Sequence, residues 1–171
     1  MTSSDSRGFT LIELLVVIAI IGILSSVAIG SLMLGRLKAA DAAIQSDLHA
    51  IASQMEIYYT SNNNFGTTYN QTSALSVVPT TGTSLYVTDT VINNALKDAM
   101  KQSGSGQSAW AATGKVAGSS GTIASTWAVA VRLKSDSSSA WCIDSGGTGE
   151  KITFSASSNP LGGNTAPAQC P

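Results

Sequence analysis

Glu13 stands at the head of an apolar run, residues 14–34, that is interrupted only by Ser25, Ser26 and Ser31. An ionised carboxylate in hydrocarbon costs several kcal/mol unless it is neutralised or paired, so Glu13 calls for a positively charged partner. Two further residues with chemical potential are Cys142 and Cys170, whose separation matches no metal-site spacing and no Cys-x-x-Cys motif. A single disulfide in an exported domain is the economical reading, and two buried free thiols the alternative. Asp144 and Glu150 flank a glycine-rich turn and offer a calcium candidate, but their spacing fits no known loop pattern, and solvated turn carboxylates are the plainer reading. His49, the only histidine, has no second ligand candidate and reads as a surface or packing residue. Asn70-Gln71-Thr72 is a glycosylation sequon. No glycine-rich phosphate loop precedes a basic residue, and the lone histidine excludes most catalytic triads. Neither catalysis nor a cofactor is expected.

These residues must be positioned by few elements. Hydrophobic residues make up 43% of the 171 and charged residues 11%, with a net charge of −1. Disorder needs low hydrophobicity and high net charge, so it is not indicated. A nucleic-acid footprint is also absent, because no basic tract exists. The apolar run has about the ~20 residues that a bilayer-crossing helix requires. Beyond Gly35 it gives way to a stripe, Leu37, Ala40, Ile44, Leu48, Ile51, Met55 and Tyr58, at the three- and four-residue steps of one helix face. One helix through both halves would run about 75 Å at ~1.5 Å per residue. Asn62-Asn63-Asn64 and Gly66 supply the turn chemistry that ends it.

Three readings of the apolar run compete. A cleaved secretory signal is one, with a small-x-small site at Ser26-Val27-Ala28. Its flank is nearly neutral, however, since Asp5 offsets Arg7, and Glu13 is out of place in it. An ordinary signal anchor likewise leaves Glu13 unexplained. The third follows from the contiguous string Gly8-Phe9-Thr10-Leu11-Ile12-Glu13-Leu14-Leu15-Val16-Val17 and the apolar residues after it. This string resembles the processing and methylation motif of type IV pilins and type II secretion pseudopilins. The resemblance implies cleavage after Gly8 by a prepilin peptidase, N-methylation of the new Phe9 amine, and retention of the helix as anchor and assembly element. It supplies the missing partner for Glu13: the Phe9 amine, four residues away or on an adjacent subunit. Related pilins commonly carry proline where this chain has Gly30, and there the stretch equivalent to Gly22–Gly30 can lose helicity in the filament. Arg36 and Lys38 after the span, against Arg7 alone before it, oppose an external C-terminus by the positive-inside rule. The expected disulfide favours one.

The expected fold is therefore α+β and type IV pilin-like, a long N-terminal helix packed on a small antiparallel sheet. Residues 1–8 would be the leader, 9–35 the transmembrane half of the helix, 36–61 its amphipathic half, and 62–171 the head. In the head, Thr90 is expected to cap a helix through Lys101, stopped by Gly104. Residues 66–84 and 104–121 read as loops. Strands are expected at 125–133, with Trp127, Val129, Val131 and Leu133 on one side, and at 140–144 and 151–155. A Cys142–Cys170 bridge would staple the tail to the second strand, a layout similar to the disulfide-bounded C-terminal loop of type IV pilins.

The function implied is a structural subunit of an extracellular type IV pilus serving adhesion, twitching or DNA uptake. It would assemble from the inner membrane, single-pass with its C-terminus outside, with copies of itself, the peptidase and the assembly machinery as partners. The alternatives are a pseudopilin of a type II secretion system and, from another class, a membrane-anchored binding module.

Overall fold

The computed structural model describes residues 8–67, 69–70, 75, 82–104, 108–114, 123–147, 149–154, 161 and 168–171. The chain divides into two compact units, Met1–Arg36 and Leu37–Pro171.

The described part of the first unit is dominated by the start of helix α1, which runs without a break over Leu11–Asn62. Leu and Ala favour the helix and Ile and Val tolerate it, and the helix carries Gly22 and Gly30, each of which costs about 1 kcal/mol in propensity. Ser26 Oγ donates to Ile23 O at 2.8 Å and Ser31 Oγ to Val27 O at 3.3 Å, so these hydroxyls are satisfied inside an apolar stretch. The large side chains from Leu11 to Leu34 are solvent-exposed, and the most apolar 18-residue window has a mean hydropathy of 2.7. This is a helix long and apolar enough to cross a membrane.

In the second unit α1 buries Ile44, Leu48, Ile51 and Met55, the centre of the expected stripe. The helix ends as Asn63 turns to a φ of +53° and its N–H bonds Tyr59 O at 2.7 Å. Asparagine tolerates this left-handed position better than most residues. The Tyr59 and Phe65 rings then stack at 4.9 Å, folding the chain back along the helix end.

The sheet has five antiparallel strands in sequential order, β1 Tyr69–Asn70, β2 Ala109–Gly114, β3 Thr126–Arg132, β4 Ser139–Asp144 and β5 Gly149–Thr153. Three of these correspond to the expected meander. The expected loop at 104–121 is corrected by β2, and that at 66–84 by β1 and by the isolated bridges Thr67↔Ile123 and Leu75↔Ala109. Every residue of β2 is buried, so Ala-Trp-Ala-Ala-Thr-Gly carries no in–out alternation to announce it.

Register places Val129 opposite Ala111 and Ile143, and Ala130 opposite Trp110 and Cys142. Trp127, Val129, Val131 and Ile143 thus meet the α1 stripe, together with Leu85 and Tyr86 of α2 (Leu85–Thr88) and Ile92, Leu96 and Met100 of α3 (Thr90–Ser103). The other face is also covered. Trp110, Ala112, Ala128, Ala130, Ala140, Cys142 and Ile152 form a second cluster with Leu161, Ala168 and Cys170 of the tail. Its alanines keep this face shallow.

The cap of α3 is Asp89, not Thr90. Its Oδ1 accepts from Val91 N at 2.9 Å and Ile92 N at 3.1 Å, while Oδ2 accepts from Gln54 Nε2 of α1 at 2.9 Å. A carboxylate near the positive end of the helix dipole outcompetes a neighbouring hydroxyl. The helix extends to Ser103, two residues beyond expectation, and Gly104 follows at φ +107°. A side chain there would also press on Lys134 Nζ, so the position favours glycine.

Carboxylates lock the β3–β4 turn. Asp41 of α1 accepts from Lys134 N at 2.6 Å and from Ser135 N and Oγ. Asp136 accepts from Ser138 N and Oγ, from Ser139 Oγ and from Lys151 Nζ. The Ser138 and Ser139 hydroxyls and Lys151, in that order, hold its carboxyl well below the usual range. A depressed folded-state pKa contributes stability that is present above the ordinary aspartate value of about 3.9 and is lost as pH falls below it. Asp136→Asn should therefore unfold at lower denaturant concentration than wild type at pH 7. In urea titrations that gap should narrow as pH drops below about 4; a constant gap would deny the carboxylate this role.

Candidate functional site

Gly8 and Phe9 lie outside regular secondary structure just before α1, and Phe9 is 85% exposed. A Cβ built on Gly8 meets no atom within 4 Å. Packing among the described residues therefore does not demand glycine here.

Glu13 is the third residue of α1, and its surroundings are specific. Oε2 accepts from Thr10 N at 2.8 Å and from Thr10 Oγ1 at 2.7 Å, while Glu13 N lies 3.4 Å from Thr10 Oγ1. Side chain and backbone thus exchange across Thr10-Leu11-Ile12-Glu13 in the manner of a capping box. Thr10 does not stand out when the sequence is read for reactive side chains. It does carry a signal, a threonine three residues ahead of a glutamate before an apolar run. Phe9, Ile12, Val16 and Val17 line an apolar concavity beside Glu13.

In the second unit Cys142 and Cys170 are joined by a disulfide with a Cα–Cα distance of 5.9 Å. Asp144 has both carboxylate oxygens engaged by amides: Oδ1 accepts from Gly146 N at 2.8 Å and Oδ2 from Cys170 N at 2.9 Å. It thus secures the stapled tail. Glu150 is exposed on β5, opposite Cys142 in register. Among the described residues no group of three His, Cys, Asp or Glu side chains could hold a metal ion. His49 is exposed on α1. Gln71 and Thr72 of the sequon lie outside the described residues. Asp47 has its carboxyl raised by partial burial and then by the charge of Asp98, which marks a mildly frustrated spot rather than a site.

A long helix with an exposed apolar start, followed by a small antiparallel sheet against its second half, defines a type IV pilin-like α+β fold. The family model for the prokaryotic N-terminal methylation motif matches residues 3–34. The type II secretion system core protein G of Dickeya chrysanthemi is 41% identical over 75 residues, 44% of this chain and 49% of that protein. The protein of the same name in Escherichia coli is 38% identical over 81 residues, 47% of this chain and 56% of that protein. The type IV wide pilus major component PilA4 of Thermus thermophilus is 41% identical over 73 residues, 43% of this chain and 54% of that protein. The chain spans about half the length of the curated relatives it matches. No solved structure matches it significantly. It carries the prepilin-type N-terminus shared by type IV pilins and pseudopilins.

Proposed function

We propose that this chain is a structural subunit of a type IV pilus, cleaved after Gly8, N-methylated at Phe9, and assembled from the inner membrane into an extracellular filament of its own copies. The observation that carries this reading is the exposed apolar start of α1 with the methylation motif at its tip. Such a helix needs lipid before assembly and other copies of itself afterwards, because exposed apolar surface on this scale is unfavourable in water. The disulfide supports an external C-terminal unit, since such bonds persist in oxidising compartments. In this reading the head supplies surface and stability, and the chemistry is confined to processing at the N-terminus.

The relatives named core protein G favour a second reading, a pseudopilin of a type II secretion system. Electron microscopy of filaments sheared from cells at natural expression separates the two. Surface filaments containing this chain are expected for the pilin. Their absence from cells that process the chain normally would transfer the assignment to the pseudopilin.

A further inference from the structure

Two buried polar side-chain atoms that have no hydrogen-bond partner among the described residues stand opposite each other in the sheet, Ser108 Oγ and Arg132 Nε. Their residues lie one step beyond the Ala109↔Val131 pair, where Arg132 N donates to Ser108 O at 2.7 Å. By alternation along the strands, Ser108 shares a face with Trp110 and Arg132 with Ala130, the face of the second cluster. Phe154 holds the guanidinium there. Arg132 Cζ lies 5.2 Å from the centre of the Phe154 ring, which packs edge-to-face with Trp110 at 4.5 Å between centres. We propose that Arg132 and Ser108, backed by Phe154, form a binding site for a carboxylate.

Three features of the arrangement support it. Stacking on Phe154 uses the face of the guanidinium and leaves its edge, along which the N–H donors project, for a ligand. A carboxylate accepts from two of these donors at once, Nε–H and a neighbouring Nη–H, and Ser108 Oγ–H supplies a third from the opposite strand. Charge also matches. Among the described residues the one ion pair joins Lys151 to Asp136, so Arg132 keeps a full positive charge that a single carboxylate balances. Burial makes the unmet donors costly, and a bound acceptor removes that cost. Ser108 is 2% exposed while Arg132 is half-buried, so a ligand reaches the inner donor along the outer one. The site lies in the head, and neither its geometry nor its test depends on processing at Phe9.

The experiment follows the Arg132 Nε–H resonance by NMR in the isotope-labelled full chain, held in detergent micelles. Arg132→Lys identifies that resonance by its loss. Sodium acetate should shift it saturably, while sodium chloride at equal ionic strength should leave it in place. Ser108→Ala should weaken the acetate affinity by about tenfold, the scale of losing one hydrogen bond to a charged group. A linear or absent response of wild type to acetate overturns the proposal, and so does an equal response to chloride; neither result needs a variant to fold. Tighter binding of inorganic phosphate than of acetate overturns it as well, because the site would not be one for a carboxylate. An unchanged affinity in a folded Ser108→Ala, shown by an otherwise unaltered amide spectrum, also overturns it. Dilution without acetate then names the source of the carboxylate. A resonance that moves as protein concentration rises assigns it to an acidic side chain of a second copy, and one that stays fixed assigns it to a free small molecule.

Discussion

Glu13→Val should insert into the membrane at least as well as wild type and assemble no detectable filaments. Valine removes a charge from the head of the apolar run, so insertion can only become easier. Assembly is another matter. In the filament the carboxylate would face the amine that cleavage creates at Phe9, in a setting from which water is largely excluded. Close charge pairs at interfaces couple by about 1.5–7 kcal/mol, which spans a tenfold loss to complete loss of association. Because every subunit repeats the contact, the deficit recurs at each addition. Glu13→Gln separates two contributions, since glutamine can still reach Thr10 N as a neutral cap. The cap alone is worth about 1 kcal/mol to the start of the helix. A glutamine variant that fails as badly as valine would assign the effect to charge. Fractionation and immunoblotting of sheared material measure both variants, and filaments of Glu13→Val at wild-type yield would remove Glu13 from the assembly contact.

The second large effect lies in the head. Replacing Cys142 and Cys170 with serine should lower the stability of the head by about 3–4 kcal/mol in denaturant titrations, from the loop entropy released across a separation of 28 residues. Besides the disulfide, Cys170 N bonds Asp144 Oδ2 and Ala168 N bonds Thr126 Oγ1 at 3.0 Å. Its loss would open the alanine-rich face of the sheet with Trp110 and Ile152 beneath. Increased binding of an apolar dye by the serine variant is expected alongside the lower midpoint. A stability within about 1 kcal/mol of wild type would show that the tail adheres by packing alone.

The N-terminal motif is contiguous, and the stripe from Ile44 to Met55 follows helical spacing, so both are legible in the amino-acid sequence without tertiary context. Trp127, Val129 and Val131 alternate with alanines, and the larger set does face the helices. Other features are set by tertiary context and leave little trace in the sequence. Strand β2 consists mainly of small residues buried on both faces, so its pattern looks like a loop. Strand β1 is two residues long and is formed by pairing rather than by its own preference. Thr90 and Asp89 are both capping types, and only the geometry of the helix start, with Gln54 alongside, decides for Asp89. Thr10 is obscured for a different reason: its local signal is present, but the stronger demand of Glu13 for a cation points toward another subunit.

Glu13 has two sets of partners, one within its own chain and one expected from a neighbour. The first is a capping box that starts the helix, and the second requires an amine that exists only after cleavage. Processing would then do more than remove a leader, because it creates the charge that completes the site. Helix α1 remains unbroken through Gly22 and Gly30 in the structure.

The measurement closest to the central claim is mass spectrometry of the chain recovered from sheared surface filaments. A mature chain beginning at N-methylated Phe9, with Cys142 and Cys170 oxidised, is the predicted result. A chain beginning at Ile29 would instead mean that the apolar segment is a removed signal, and would contradict the account.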